Sequence, residues 1–268
     1  MLKPKSVTKV IIDGDIIGYR AAAGTEGSHP DDTLDKVDTL MNYIVGETVV
    51  FPTEDNLECY LTGKGNFRYE VAKTAPYKGN RKDVVKPTNL PAARQHLIDK
   101  WGAVVSQGEE ADDLIGIASC IGDPETTVVC TIDKDMMQLH GWNFNFVKNE
   151  WNYISVDEGN KFFYTQILTG DSADHIKGIH RVGPVKAGKI LEGMTTEREM
   201  YEACLNAYMN NSPERRGNKD YPIWKYAEDR VLENARLLWL RRYPDEMWEP
   251  PVVTREPPVV TREPPSGN

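Results

Sequence analysis

Eight acidic residues fall in four short clusters along the chain: Asp13 in VIIDGD; Glu110, Asp112 and Asp113 in GEEADD; Asp133 and Asp135 in TIDKD; Asp171 and Asp174 in GDSAD. Ionised carboxylates brought together repel one another and lose hydration, so a fold that gathers them needs cations in compensation. Hard oxygen donors select magnesium or manganese. Hydrolysis of phosphodiesters is the chemistry this points to. The competing reading is that these are solvated surface groups, since Asp and Glu together number 41.

The elements that must position these acids favour convergence. Val10, Ile11 and Ile12 run straight into Asp13, and the apolar stretch 127–132 runs straight into Asp133. Both read as buried β-branched strands ending in a carboxylate. In an open α/β sheet ligands bind outside the carboxyl ends of the strands, so two such strands point to one shared site. Glu110 and Asp113 are three apart at the start of a predicted helix, as are Asp171 and Asp174, and that spacing puts each pair on one helix face. Asp133 and Asp135, two apart, suit one side of an extended strand end.

Along the first two-thirds of the chain strand and helix patterns alternate. Strands are predicted over 7–12, 57–61, 103–106 and 128–132, and helices within 32–51 and over 91–101 and 111–120. The pattern argues for an α/β fold, a mostly parallel central sheet with helices on both faces. After residue 162 the character changes to helices over 162–168, 185–191, 200–209 and 224–239, joined by glycine-rich turns. The apolar stripe of the last helix, Trp224 to Trp239, reads as core. We expect a core at 1–160 with a basic loop at 64–90, a helical C-terminal subdomain at 161–248, and a tail at 249–268. The tail repeats EPPVVTR from Glu249 and again from Glu256; its proline pairs can donate to neither helix nor sheet, so it is expected to be disordered or polyproline-like.

At 268 residues the chain is long enough for one substantial core or a core with a smaller subdomain. Neither a signal peptide nor a membrane span fits the short apolar run before Asp13, and a cytoplasmic, reducing location is expected. Cys59, Cys120, Cys130 and Cys204 lie far apart without a CxxC pair, which favours buried free thiols over zinc or disulfides. The net charge of −9 is unusual for a partner of nucleic acid, but eight of the negative charges belong to the clusters. The basic residues are unevenly placed: seven lie within 64–86, and Lys177, Arg181, Lys186 and Lys189 follow one another without an acid. Such stripes suit phosphate, although a basic run alone is usually a solvated face.

The turn Gly178-Ile-His-Arg-Val-Gly183-Pro184 lies between two predicted helices. Its glycines let the backbone approach a phosphate, the following helix start offers free N–H groups, and Lys186 and Lys189 add charge. Taken in order, DGDIIGYR, PYKGNR, EADD, TIDKDMMQL and GDSADHIKGIHRVGPVKAGKIL resemble the motifs of the 5′-nuclease family: flap endonucleases, the 5′-nuclease domain of bacterial DNA polymerase I and the phage 5′→3′ exonucleases. The resemblance covers roughly residues 7–195, and size and a shortened middle region are most similar to the exonucleases of T7-like phages.

That resemblance implies a PIN-like 5′-nuclease core and a helix-two-turns-helix element at about 162–191. It implies two ions of magnesium or manganese, the first held by Asp13, Glu110, Asp112 and, shared or peripheral, Asp113, the second by Asp133, Asp135, Asp171 and Asp174. Lys78 and Arg81 correspond to basic residues that contact the scissile phosphate. Arg20, Tyr77, Lys82, Gly178, Arg181, Gly183, Lys186 and Lys189 correspond to DNA contacts, with potassium on the carbonyls of the turn. The family usually carries a further Asp where the nearest alignment puts Gly63, so one ligand is missing, and Glu58 is the acid available on the same strand. Only 32 positions separate Lys78 from Glu110, a short arch that favours attack on duplex ends over threading of long flaps.

The expected activity is metal-dependent 5′→3′ exonucleolysis of duplex DNA ends and nicks, with 5′-flap cleavage and removal of RNA from hybrids as further activities, by a monomer in the cytoplasm of a phage-infected bacterium. The tail is a candidate peptide for a replication protein. A structure-specific flap endonuclease, a PIN-like ribonuclease and a non-catalytic DNA-binding relative are the alternatives; the turn at 178–184 speaks against the second, and Gly63 makes the last conceivable. His140, His175 and His180 read as structural or phosphate-contacting.

Overall fold

A computed structural model of the chain describes residues 3–48, 56–211 and 222–251. In chain order the elements are β1 (Lys9–Asp13), α1 (Gly14–Gly24), α2 (Pro30–Thr48), β2 (Leu57–Lys64), α3 (Arg68–Val71), α4 (Leu90–Trp101), β3 (Val104–Gln107), α5 (Ala111–Ile121), β4 (Thr127–Cys130), β5 (Gly141–Asn145), β6 (Glu150–Ile154), α6 (Val156–Thr169), β7 (Gly170–Asp171), β8 (Ile176–Lys177), α7 (Pro184–Ile190), α8 (Glu197–Asn211) and α9 (Ile223–Leu238). Among the described residues the main sheet runs β3-β2-β1-β4-β5-β6, parallel from β3 to β5, with β6 returning antiparallel.

β1 is central because every side chain from Val10 to Ile12 is apolar and can be buried on either face. Val10 and Ile12 pack with Ile17, Met41, Ile44 and Leu97 from α1, α2 and α4; Ile11 packs on the opposite face with Ile115 and Ala118 of α5. Helices therefore cover both faces, as the alternating pattern predicts. Truncating a buried Ile such as Ile11 to Ala typically costs about 2–5 kcal/mol.

Two parts of this layer depart from the expectation. A helix, α1, begins one residue after β1, with the side chain of Asp13 capping it by accepting from the Ile16 amide at 3.1 Å. The β5–β6 hairpin was not foreseen either: Asn145 accepts from the Val147 and Lys148 amides, Asn149 takes positive φ, and Phe144 stacks on Trp151 at 4.4 Å. Side-chain-made turns of this kind carry no glycine-proline punctuation.

The helical region closes a second core around Phe163, Ile167, Tyr201, Val231, Trp239 and Trp248, which also takes in Tyr77 from the basic segment. Ser155 and Glu158 form a capping box that starts α6 six residues before the expected helix. Of the stripe on α9, Ala227, Val231, Ala235 and Leu238 are buried while Trp224 is exposed. Leu240 returns to the sheet and packs beside Ile11. Cys59, Cys130 and Cys204 are buried free thiols, and Cys120 is exposed. Among the described residues no helix is long and apolar enough to cross a membrane. The repeat at 252–268 lies outside the described residues.

Candidate active site

The carboxyl ends of β1 and β4 open into a cleft of about 190 Å³ lined by eight acids, Asp13, Asp15, Glu110, Asp112, Asp133, Asp135, Asp171 and Asp174, and by three cations, Lys78, Arg81 and Lys134. Seven of the eight acids expected from the sequence are brought together here.

Each is fixed by local structure. Asp13, at the end of β1, also accepts from the Thr131 hydroxyl at 2.8 Å, and that same hydroxyl accepts from the Asp133 amide at 3.0 Å. Thr131 thus links the ends of the two strands. Asp133 caps the turn of 3-10 helix at Lys134–Gln138 by accepting from the Asp135 amide, and Gln166 of α6 holds Asp135 at 2.6 Å. Asp171 accepts from the Ala173 amide at 2.8 Å. Tyr77 Oη lies 2.9 Å from both Glu110 and Asp174, so one proton is shared between two carboxylates from distant parts of the chain.

The electrostatics follow from this crowding. Burial, offset in part by Thr131 and the Ile16 amide and reinforced by Asp15 and Asp133, pushes the Asp13 carboxyl up to about 7. Burial together with Asp13, Asp133 and Glu110 raises Asp112 well above the usual carboxylate range. Asp135 and Asp174 are raised too, chiefly by burial. Desolvation works against a charged Lys78, but Glu110 and Asp174 together outweigh it and hold the ammonium above its ordinary value.

The cations face the acids. Lys78, in a left-handed backbone conformation, is bonded to Glu110 and lies 3.9 Å from Asp174. Arg81 pairs with Asp174 at 2.6 Å, and Lys134 bridges Asp135 and Asp171 at 3.1 and 2.7 Å. Among the described residues no three ligand-type side chains already share a ligating point, and ammonium and guanidinium groups pair with several of these oxygens. The donor set itself, all carboxylate oxygen and partly desolvated, fits a hard divalent cation.

Several expectations need correction. Asp113 does not face the cleft: Arg68 holds both its oxygens, at 2.6 and 2.8 Å, and the pair is buried. Tyr77 is buried and orients Glu110 and Asp174, so it offers no surface to DNA. Gly178 is demanded by the protein's own packing, since a Cβ there would overlap the Thr169 backbone. Gly63 is not the vacancy either: it turns away from the cleft, and a side chain there would overlap the Ser106 carbonyl. The residue of β2 that lines the cleft is Thr62, whose hydroxyl accepts from the Ala111 amide at 2.9 Å. Glu58 is engaged by Tyr60 and Lys9, outside the cleft.

Asp15, Lys134, Thr131 and Thr62 were missed. Asp15 stands beside Thr62, accepting from its amide at 2.9 Å, and pairs with Arg94. Its signal was its place two residues beyond Asp13; Lys134 lies between two of the named acids.

At the turn, Ile179 and Val182 anchor the loop in the helical core while Arg181, Gly183, Lys186 and Lys189 are exposed. Arg20 and Lys82 are exposed as well.

Fold and cleft together define an α/β protein with an acid-lined pocket at the carboxyl ends of its parallel strands and a helical layer beside it. No protein-family model matches the chain. It is 25% identical over 217 residues to a 5′-3′ exonuclease of Mycoplasma genitalium, covering 72% of this chain and 74% of that one. To the flap endonuclease Xni of Vibrio cholerae it is 28% identical over 159 residues, covering 53% and 59%. To DNA polymerase I of Deinococcus radiodurans it is 27% identical over 153 residues, which is 52% of this chain and spans 16% of that protein's length. The fold is that of the bacteriophage T5 D15 protein crystallised with metal ions, with a TM-score of 0.63, 17% identity and coverage of 85% and 88%. In sequence the chain is thus similar to 5′-nucleases, and in fold to the T5 protein.

Proposed function

We propose that the chain is a metal-dependent 5′→3′ exonuclease of duplex DNA ends and nicks that also cuts 5′ flaps and removes RNA from hybrids, leaving 5′-phosphates. The observation that carries this reading is the gathering of eight acids and three cations in one cleft at the ends of β1 and β4.

Asp13, Glu110 and Asp112 form one group of oxygen donors, and Asp133, Asp135, Asp171 and Asp174 the other. Two magnesium or manganese ions, when bound by these oxygens, supply the neutralisation of charge and activation of water that displacement at phosphorus requires. Lys78 and Arg81, at the lip of the cleft, offset charge developing on the phosphoryl oxygens. Tyr77 keeps Glu110 and Asp174 in place during this exchange. The helical subdomain, 161–248, holds the duplex: Arg181, Lys186 and Lys189 contact backbone phosphate at the turn, the exposed Arg20 and Lys82 add further phosphate contacts, and the backbone of the turn would hold potassium. The protein acts as a monomer.

Digesting blunt duplex, nicked duplex and 5′-flap substrates side by side in magnesium tests the proposal. Mononucleotide ladders from duplex ends are expected. Release of intact flaps as the main product would make flap endonuclease the principal activity, the name one relative carries. No release from any substrate would leave a DNA-binding protein.

A further inference from the structure

Of the eight acids that line the cleft, seven belong to the two donor groups, and Asp15 belongs to neither. The groups are unequal, with three carboxylates in the first and four in the second. The first draws Asp13 from the end of β1 and Glu110 and Asp112 from the start of α5, but no acid from β2, which lies between β1 and β3 in the sheet. β2 reaches the cleft through Thr62. Asp15 is the carboxylate that stands there, accepting from the Thr62 amide at 2.9 Å.

The local sequence explains how it comes to that place. β1 ends at Asp13 and α1 starts one residue later, so Asp15 falls in the first helical turn, where unpaired N–H groups favour a carboxylate. Gly14 lets this turn lie close against β2, since a Cβ there would come within 2.7 Å of the Tyr60 carbonyl and 2.8 Å of Cys59 Sγ. Arg94 of α4 completes the hold by donating to Oδ1 of Asp15 and, at 2.6 Å, to the Thr62 carbonyl. Three elements thus fix one carboxylate.

These bonds leave room for an ion. A carboxylate offers about four lone-pair directions, of which the Thr62 amide takes one on Oδ2 and Arg94 one on Oδ1. Lys78, Arg81 and Lys134 stand in the cleft among the acids, whereas Arg94 is not among its lining residues and holds Asp15 from outside. An ion can therefore be added without displacing Arg94. Asp113, whose oxygens are also held by an arginine, is buried away from the cleft; the Asp15 side chain is 33% exposed and lines it.

We propose that Asp15 is the fourth oxygen donor of the first group and that Arg94 is the positioning residue that aims it. The inference rests on the metal-dependent reading of the cleft, but it concerns a residue that reading does not use.

Manganese is titrated calorimetrically into the full chain without DNA, at about 0.05 M and about 0.5 M salt, because the higher strength screens the pull of an exposed charge but not a direct bond. Asp15→Asn should weaken binding by about tenfold or more at both strengths, since residues that merely orient a metal ligand are already worth about 10–100-fold. Arg94→Lys keeps the charge but not the fork to Thr62, and should weaken binding by a smaller factor than Asp15→Asn does. Combined with Asp112→Asn, the Asp15→Asn loss should shrink below about twofold, as for two donors to one ion, and combined with Asp171→Asn it should persist. Asp35→Asn, exposed on α2, controls for net charge. Asp15→Ser, read in the same way, keeps the test open should the asparagine variant misfold. Wild-type affinity in the Asp15 variants, a loss that vanishes at high salt, or one matched by Asp35→Asn would overturn the proposal and leave Asp15 a tie between α1 and α4. Asp15-dependent binding by a protein that releases nothing from DNA in magnesium would keep this donor and remove the nuclease reading. Cleavage by wild type with unchanged manganese binding in Asp15→Asn would do the reverse.

Discussion

Arg68 grips both carboxylate oxygens of Asp113, at 2.6 and 2.8 Å, and almost nothing of either side chain is exposed. The same guanidinium donates to the Leu237 and Trp239 carbonyls, so this pair ties the start of α5 to the end of α9. Desolvation disfavours the Asp113 charge, yet Arg68 and the amides of Glu110 and Arg241 outweigh it and hold the carboxyl below its usual range. Asp113→Asn strands a buried guanidinium and is expected to lower stability by about 3–5 kcal/mol in urea unfolding. Manganese affinity of the folded variant, by calorimetry, should match wild type. A loss as large as that of Asp112→Asn would return Asp113 to the ligand set.

Asp13 gives the metal-free protein a defined pH response. Its carboxyl is pushed from 3.8 up to about 7 by burial, so the fold prefers the protonated form. The stabilisation is fully present below the ordinary pKa and is lost as pH rises through about 7. Melting temperature in chelator should therefore fall between about pH 5 and about pH 8. Magnesium should raise it more at the upper pH, because the ligand oxygens are then deprotonated. Asp13→Asn should flatten both responses; an unchanged profile in that variant would assign the effect to other groups.

The sequence made the sheet and most of the cleft readable because strand ends announce themselves locally: Ile12 before Asp13 and Ile132 before Asp133 are apolar-to-acid junctions. Asp113 was misread for an equally physical reason. A helix face is shared by residues three apart, but which neighbour claims a carboxylate depends on Arg68, 45 positions earlier. Thr62 and Gly63 show the same limit, since alternation on a strand distinguishes two faces only when the register is known.

The assignment of the vacant position to Thr62 has a direct test. Gly63→Asp drives a side chain into the Ser106 carbonyl and should destabilise the protein without improving manganese binding. Thr62→Asp keeps an oxygen for the Ala111 amide and adds an acid to the cleft, so the fold should survive and manganese should bind more tightly, on the order of tenfold for a gain near 1.4 kcal/mol. The opposite ranking would put the missing ligand back at Gly63.

Lys78 separates electrostatic attraction from chemistry. It reaches Glu110 and Asp174, one from each group of acids. Lys78→Ala should slow single-turnover cleavage by about 10²–10³-fold, the scale of losing one donor to transition-state charge. Duplex affinity should fall far less. Equal losses in the two measurements would reduce Lys78 to a surface charge.

Lys134 makes the reverse prediction for metal binding. Its ammonium bridges Asp135 and Asp171, two of the four donors in the second group, although its own side chain is largely exposed at 59%. An exposed ammonium is held weakly, roughly 0.2–1 kcal/mol per pair, so a divalent ion can displace it, but the displacement subtracts from the ion's affinity. Lys134→Gln removes the competitor and leaves every carboxylate in place. Manganese affinity at the second group should then rise about two- to fivefold, the equivalent of that energy. Lys148→Gln, outside the cleft, controls for net charge alone. Equal gains in the two variants would mean that Lys134 acts only through the overall field and does not occupy the place of the ion.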